Sequence, residues 1–207
     1  MKNLIIIGAG GHSRPAIEIA NLQRKWKNIE LIDINYKGPE SIMGSKIIGG
    51  LDKIPSLDNN KTDFFFAIGD NILRKSIFGK VQDLNINFTN LIHPKSEVSG
   101  FATIGVGNFI GPFSNIGPQV TIGNHNIINS FANIEHESSI GNYNHLGPSA
   151  IICGRSKIAN KVFIGSNSTV IEKVSIPDGV IIGAGSVIIN SNLEEEKKYA
   201  GIPIKRI

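Results

Sequence analysis

The chain has 207 residues, and its 21 Lys and Arg against 17 Asp and Glu give a formal net charge of only +4. The basic residues are scattered and form no stripe with interleaved aromatics, so nucleic acid is not an expected partner. Cys153 is the single cysteine, which excludes an intrachain disulfide and a cysteine-rich metal site. The first apolar run, Leu4–Ile7, is too short for a membrane span or a signal peptide, and a cytoplasmic protein is expected.

Residues 1–88 alternate short apolar runs with helix-like stretches. The predicted elements are strands at 4–7, 29–32 and 64–68 and helices at 13–24 and 73–83. This alternation, with glycine-rich strand ends, is typical of a small parallel α/β unit of the Rossmann-like kind. Such sheets bind ligands beyond the carboxyl ends of their strands. We therefore predict a substrate-binding domain over residues 1–88.

The candidate substrate-binding residues lie at those strand ends. They are Gly10, Gly11, His12, Asp33, Asn35 and Asn71. A glycine-rich turn before a helix is a good anion-binding site, because the first backbone N–H groups of the helix point toward a ligand at its N-terminus. The turn also resembles a dinucleotide fingerprint, but Ser13 occupies the third glycine position, so an NAD-dependent oxidoreductase is only weakly indicated.

From Ile92 to Ile188 every sixth residue is Ile, Leu or Val, over seventeen positions without exception. Neither the helix period of 3.6 nor the strand period of 2 explains a period of six. A three-sided parallel β-coil does, because each flat side uses six residues and points one aliphatic side chain inward. Inward residues eighteen positions apart should then stack about 4.8 Å apart. We predict a second domain over residues 89–207, with 199–203 capping the end of the coil.

Several motifs along the chain resemble one known family. They are residues 8–12 (GAGGH), 68–71 (IGDN) with Arg74, 92–94 (IHP), 134–137 (IEHE), 139–141 (SIG) with His145, and 201–203 (GIP). On these the chain resembles the hexapeptide-repeat sugar acetyltransferases of the NeuD and PglD type. That family comprises sialic acid O-acetyltransferases and nucleotide-linked amino-sugar N-acetyltransferases.

The resemblance implies a left-handed β-helix and acetyl transfer from acetyl-CoA, with no metal. It further implies a homotrimer whose active sites lie between neighbouring coils, and an N-terminal domain that holds a nucleotide sugar used in glycan biosynthesis. The family assigns the general-base role to the residue that matches His136, with Glu137 as its partner. His145, Gly154, Gly201 and Pro203 are expected to contact the acetyl-CoA, together with backbone groups of residues 165–185.

Elementary chemistry supports the same residues. An amine or hydroxyl must lose a proton to attack a thioester, and a neutral imidazole can take that proton near pH 7. Glu137, or a backbone carbonyl, could orient the ring of His136 and fix its tautomer. Gly154 follows His136 by eighteen residues, so it should lie one coil further along the same wall, where its N–H could stabilise an oxyanion. His145 should lie on a different wall.

Four alternatives remain open from the sequence. The closest is O-acetylation of sialic acid or a related sugar, since one sequence does not separate an amine acceptor from a hydroxyl acceptor. The same coil also supports zinc carbonic anhydrases, and His125, His136 and His145 are available, although their spacing differs from that site. The NAD oxidoreductase and a non-enzymatic scaffold are the remaining two.

Overall fold

The computed structural model describes residues 1–207 and divides them into two compact units, Met1–Pro94 and Lys95–Ile207. The boundary expected between residues 88 and 89 lies slightly earlier in the chain and stays a prediction. Neither helix has the length and apolarity that crossing a bilayer would require.

The first unit is a six-stranded sheet with two helices. Its elements are β1 Lys2–Ile7, α1 Ser13–Gln23, β2 Trp26–Ile32, β3 Glu40–Ile42, β4 Ser45–Ile47, a 3-10 helix Leu51–Ser56, β5 Thr62–Phe66, α2 Asn71–Val81, a 3-10 turn Gln82–Leu84, β6 Asn87–Phe88 and the short β7 Leu91–Ile92. The strand order is β3-β4-β2-β1-β5-β6, and all pairs are parallel except the β3-β4 hairpin.

The central strands carry the core of this unit. Leu4–Ile7 in β1 and Phe64–Phe66 in β5 are almost fully buried, as expected for strands covered on both faces. Gly8 follows β1 at φ 110°, and a β-carbon there would lie 3.0 Å from the Ala67 carbonyl oxygen. The two central strand ends therefore approach each other closely. The sequence did not predict the β3-β4 hairpin or β6, because such short strands carry too few residues to show alternation.

The second unit is a coil of two-residue strands. They are β8 Glu97–Val98, β9 Thr103–Ile104, β10 Phe109–Ile110, β11 Asn115–Ile116, β12 Thr121–Ile122, β13 Ile127–Ile128, β14 Asn133–Ile134, β15 Ser139–Ile140, β16 His145–Leu146, β17 Ile151–Ile152, β18 Lys157–Ile158, β19 Phe163–Ile164, β20 Thr169–Val170, β21 Ser175–Ile176, β22 Ile181–Ile182 and β23 Val187–Ile188, followed by β24 Lys198–Ala200 and β25 Lys205–Arg206.

These strands form three parallel walls. The first wall contains β10, β13, β16, β19 and β22, the second contains β8, β11, β14, β17, β20 and β23, and the third contains β9, β12, β15, β18 and β21. Each strand pairs with the strand eighteen residues away, so that Ile116, Ile134 and Ile152 stack in one column. The predicted fold class, a Rossmann-like α/β unit followed by a left-handed β-helix, is confirmed.

The corners of the coil repeat with the same period. Every sixth residue from Gly107 to Gly185 has a φ between 55° and 71°, the left-handed region, although only three of these residues are glycine. Each such residue lies three positions after an inward aliphatic side chain. The coil therefore overrides the usual preference of L-residues for negative φ, and the side chains at these corners, apart from that of the buried His125, project from its edges.

Buried asparagines satisfy the backbone at one corner. Asn108, Asn126 and Asn144 follow one another at intervals of eighteen residues, and the Oδ1 atoms of Asn108 and Asn126 accept the N–H groups of Asn126 and Asn144. The Nδ2 groups of Asn126 and Asn144 donate to the carbonyls of Gly141 and Ala159. Polar groups that the corner removes from water thus keep hydrogen-bond partners.

The last segment continues the ladder of the first wall. Strand β24 pairs with β22, and β25 pairs with β24 in the antiparallel sense. The Gly201 N–H donates to Ser186 Oγ at 3.1 Å, and the Gly201 carbonyl accepts the Val187 N–H. These contacts attach residues 198–206 to the end of the coil.

Candidate active site

His136 and Glu137 lie at the corner that follows β14 on the second wall. The side chain of His136 is 49% exposed and that of Glu137 is 40% exposed. Glu137 is one of the left-handed corner residues, with φ 58°, and its Oε2 lies 3.0 Å from Nδ1 of His136. A carboxylate at Nδ1 favours the tautomer that carries its proton on Nδ1, which leaves Nε2 bare as an acceptor.

Arg155 shares the same carboxylate oxygen. Its Nε donates to Glu137 Oε2 at 3.0 Å. The hydrogen bond from His136 and, after it, the hydrogen bond from Arg155 lower the pKa of Glu137 below its usual value. The sequence reasoning missed Arg155, although the eighteen-residue rule that located Gly154 also places Arg155 one coil beyond Glu137.

Gly154 lies directly beside the imidazole, as the repeat predicts. A β-carbon at position 154 would come within 2.8 Å of both Cε1 and Nε2 of His136. The flanking residues Cys153 and Arg155 donate their N–H groups to the carbonyls of Val170 and His136. Gly154 therefore lies between two ladder donors, and the position that its β-carbon would occupy faces the edge of the imidazole that carries Nε2.

The other residues expected at the donor site lie elsewhere on the coil. His145 is in β16 on the first wall, where its ring packs edge-on against Phe163 with centroids 5.2 Å apart. Gly201 and Pro203 are exposed in the C-terminal segment. The structure thus brings His136, Glu137 and Gly154 together and places His145 on a separate wall.

The third wall carries a groove that the sequence did not predict. Its volume is about 490 Å³, and it lies over β15, β18 and β21. Ser139, Lys157, Pro177 and Leu193 contribute to its lining. Of the backbone expected at the donor site, only residues 175–177 reach this groove.

The strand ends of the first unit enclose a cavity of about 370 Å³. Gly10, Gly11, His12, Asp33 and Asn35 all line it. The carboxylate of Asp33 fixes two of the loops, because Oδ2 accepts the Ala9 N–H at 2.6 Å and Oδ1 accepts the Asn35 N–H at 2.7 Å. Five of the six predicted substrate-binding residues are therefore adjacent in space.

The fold itself gives no steric reason for glycine at two of these positions. A β-carbon at Gly10 or Gly11 would meet no protein atom within 4 Å. The guanidinium of Arg14 lies next to this turn and donates from Nη1 to the Gly10 carbonyl at 2.8 Å. Open backbone beside a cationic side chain suits close approach of an anionic ligand.

Asn71, the sixth predicted residue, lies outside this cavity. It is buried, and its Oδ1 accepts a hydrogen bond from Nη2 of Arg74 at 2.8 Å. Arg74 is only 1% exposed and donates from Nη1 to the Ile68 carbonyl at 2.6 Å. The pair joins the end of β5 to the start of α2, which is a structural task. A substrate contact by Asn71 stays a prediction without support from this geometry.

No group of three or more His, Cys, Asp or Glu side chains is arranged within this chain to hold a metal ion. His125 is buried at a different corner, where its ring stacks on Tyr143 with centroids 5.3 Å apart. The three histidines considered for zinc therefore occupy three different places on the coil.

Comparison with known proteins identifies both units. Residues 3–81 match the PglD N-terminal domain, and residues 101–136 match the bacterial transferase hexapeptide family of six repeats. The acetyltransferase domain of PglB from Neisseria gonorrhoeae FA1090 superposes on the whole chain, with 27% identity, full coverage of both chains and a TM-score of 0.94. Both units of the chain are therefore similar to those of the PglD-type hexapeptide-repeat acetyltransferases.

Two further similar proteins are informative. PerB from Caulobacter crescentus, solved in complex with CoA and GDP-perosamine, is 29% identical, with a TM-score of 0.92 over 100% of this chain and 98% of that one. A curated relative, UDP-N-acetylbacillosamine N-acetyltransferase of Bacillus subtilis (strain 168), is 32% identical over 110 residues. That match covers 52% of this chain, and the chain spans about half the length of that relative.

Proposed function

We propose that this protein is an acetyl-CoA-dependent N-acetyltransferase that acts on the amino group of a nucleotide-linked 4-amino sugar in bacterial glycan biosynthesis. The proposal rests on the surroundings of the His136 ring. Its Nδ1 lies within hydrogen-bond distance of Glu137, and its Nε2 lies beside Gly154. A base and a backbone donor are thereby adjacent, which acyl transfer to an amine requires. The similarity of the whole chain to PglB and PerB supports the same reaction class.

His136 acts as the general base in this proposal. Its Nε2 takes a proton from the acceptor amine as the amine nitrogen bonds to the acetyl carbon, while Glu137 holds Nδ1–H and stabilises the imidazolium. The Gly154 N–H donates to the carbonyl oxygen as negative charge develops on it. When the carbon–sulfur bond breaks, the imidazolium returns the proton to the departing thiolate.

The cavity of the first unit binds the nucleotide sugar in this proposal. Gly10 and Gly11 offer backbone N–H groups to a phosphate, and His12 lies beside them. Asp33 and Asn35 contact the base or ribose, in addition to the loop-fixing bonds that Asp33 already makes. The similarity to PerB, which was solved in complex with GDP-perosamine, supports a ligand of this class.

The assembly completes the site. We propose a cytoplasmic homotrimer. In it, His145, Gly201 and Pro203 of one subunit contact the acetyl-CoA that reacts at His136 of the neighbouring subunit. The location of His145 on another wall than His136 supports this arrangement, since half a coil separates the two positions. Analytical ultracentrifugation at micromolar concentration tests the trimer directly.

A thiol-release assay with acetyl-CoA tests the reaction. The acceptors are UDP-, GDP- and dTDP-linked 4-amino sugars, with free and CMP-linked sialic acid in parallel. We expect turnover with one amino-sugar nucleotide, a base-stable amide product, and a loss of at least about 10²-fold in kcat for His136→Ala and His136→Gln. A base-labile ester formed only with sialic acid would instead assign O-acetylation. Absence of thiol release and of acetyl-CoA binding would refute acetyl transfer altogether.

A further inference from the structure

Two side chains, one from the same coil and one from the next, meet one carboxylate oxygen of Glu137. Oε2 of Glu137 lies 3.0 Å from Nδ1 of His136 and 3.0 Å from Nε of Arg155. Arg155 therefore touches the group that orients the base without touching the base through its own side chain. The His136–Glu137 pair belongs to the reaction proposed above, and Arg155 adds a third member to it.

The coil fixes this arrangement through its register. Glu137 and Arg155 are eighteen residues apart, and both occupy left-handed corners, with φ 58° and 62°. The Arg155 N–H donates to the His136 carbonyl at 3.0 Å, so the ladder itself holds the two corners next to each other. Because backbone bonds set the distance between the corners, the ion pair does not depend on two freely mobile surface loops.

We propose that Arg155 is a positioning residue for the reaction, which holds the Glu137 carboxylate against His136 and places a fixed positive charge beside the pair. The inference rests on the acetyltransferase function proposed above. It assigns to Arg155 a contribution to the base that neither member of the pair supplies.

The first effect is orientation. Glu137 is partly exposed, and an exposed glutamate samples several rotamers unless more than one contact holds it. Two donors on Oε2 restrict the carboxylate to the rotamer that faces Nδ1. The hydrogen bonds from His136 and Arg155 also lower the pKa of Glu137, so it remains an ionised acceptor throughout the neutral range.

The second effect is electrostatic. A guanidinium does not lose its proton, so Arg155 is a constant positive charge near the imidazole. The groups around His136 are Glu135 and Glu137 on its own coil and Cys153 and Arg155 on the next. Gln119, one coil before Glu137, does not titrate, and Lys173, one coil after Arg155, lies 3.5 Å from Glu172. Removing Arg155 therefore makes the surroundings of the His136–Glu137 pair more negative.

The experiment compares Arg155→Met, Arg155→Lys and Lys173→Met with the wild type. Lys173 also occupies a left-handed corner, at φ 60°, so its replacement controls for loss of a cationic side chain at such a position. We measure kcat/KM against pH with the acceptor found in the thiol-release assay. In the free protein we record the ¹⁵N shifts of the His136 ring, which report the tautomer without any need for turnover.

For Arg155→Met we expect kcat to fall about fivefold at pH 7 and the acid limb of the profile to move to higher pH. The His136 ring should change from mainly Nδ1–H to a mixture of tautomers. Arg155→Lys should recover part of the loss, because an ammonium can reach the same carboxylate with a single donor. Lys173→Met should leave the acid limb and the ring shifts unchanged.

The inference and the underlying function fail in different ways. If the wild type turns over and Arg155→Met keeps its kcat, acid limb and ring shifts, then Arg155 is only a solvated charge and the inference is overturned. If no acceptor is acetylated, the proposed function fails, while the ring shifts still decide whether Arg155 controls the tautomer. Thermal melts of each variant separate these outcomes from a loss of folding.

Discussion

Gly154 lies so close to His136 that a β-carbon at position 154 would come within 2.8 Å of Nε2. Because the φ of Gly154 is not in the left-handed region, alanine fits the backbone but displaces the exposed ring. We expect Gly154→Ala to keep the fold and to lower kcat by about tenfold to hundredfold, since small displacements of a catalytic group have such effects.

Gly100→Ala is the matched control for that substitution. A β-carbon at Gly100 would meet no atom within 4 Å, so this variant should melt and turn over like the wild type. Steady-state kinetics and thermal melts on the three proteins check both statements. Wild-type kcat in Gly154→Ala would show that the ring has room to move without losing its function.

The buried asparagine ladder supplies a prediction about stability. Asn126 is 1% exposed, and it accepts the Asn144 N–H and donates to the Gly141 carbonyl. Asn126→Ala leaves the Asn144 N–H without this acceptor and the Gly141 carbonyl without this donor. We therefore expect a loss of about 2–3 kcal/mol in the free energy of unfolding. Urea denaturation measures this loss.

Asn124→Ala provides the comparison. Asn124 is exposed, and its Oδ1 accepts the Val106 N–H in a parallel ladder along the same coil. Water can replace that acceptor, so the change in unfolding free energy should stay within about 0.5 kcal/mol. Equal losses in the two variants would contradict the role given to burial.

The period of six predicted the coil because one physical requirement, an inward aliphatic per side, repeats along the sequence. The corners were not predictable in the same way. Phe113, Gln119 and Tyr143 adopt positive φ, although residues of these types rarely do so alone. The ladder imposes the conformation, and the sequence of a single corner carries no sign of it. Glu137 and Arg155 meet for the same reason, which only the eighteen-residue spacing could have indicated.

In the first unit, the strand-end rule predicts which residues lie near the cavity but not which way their side chains point. Strand ends correctly grouped Gly10, Gly11, His12, Asp33 and Asn35 around one cavity. The same rule placed Asn71 there, but whether a polar side chain turns toward the ligand or toward its own fold depends on its rotamer. Here Arg74 turns inward to the Ile68 carbonyl.

Arg74 is therefore expected to act on stability. Arg74→Leu leaves the Ile68 carbonyl and Asn71 Oδ1 without their donor in a buried place, at a cost of about 2–4 kcal/mol. Lys75→Leu, at the next and exposed position of the same helix, should change stability by less than about 0.5 kcal/mol. Thermal and urea unfolding distinguish the two. An Arg74→Leu variant that unfolds like the wild type but binds the nucleotide sugar poorly would restore a substrate role.

Glu137 gives a prediction about pH. His136 first, and Arg155 second, lower the pKa of its carboxyl in the folded protein. A lowered folded pKa means that the stabilising contacts are complete above the ordinary glutamate range and are lost as the pH falls through the lowered value. The ¹³C carboxyl shift of Glu137 should therefore titrate below that range, and in Arg155→Met its midpoint should rise. A wild-type midpoint inside the ordinary glutamate range would contradict the hydrogen bonds that His136 and Arg155 make to Glu137.

Cys153, next to Gly154, provides a reactivity test of the same corner. Burial first, and then the charges of Glu135 and Glu172, raise the pKa of its thiol. The thiolate is the reactive form, so at pH 8 iodoacetamide should label folded protein more slowly than urea-unfolded protein. Glu135→Gln keeps a side-chain oxygen for Asn133 but removes a negative charge, and it should speed the labelling. Glu97→Gln, on the outer strand of the same wall, should leave the rate unchanged. Because Cys153 is the only cysteine, mass spectrometry of the intact chain follows the labelling of this one thiol. Equal labelling rates in folded and unfolded protein would show that neither burial nor Glu135 controls its reactivity.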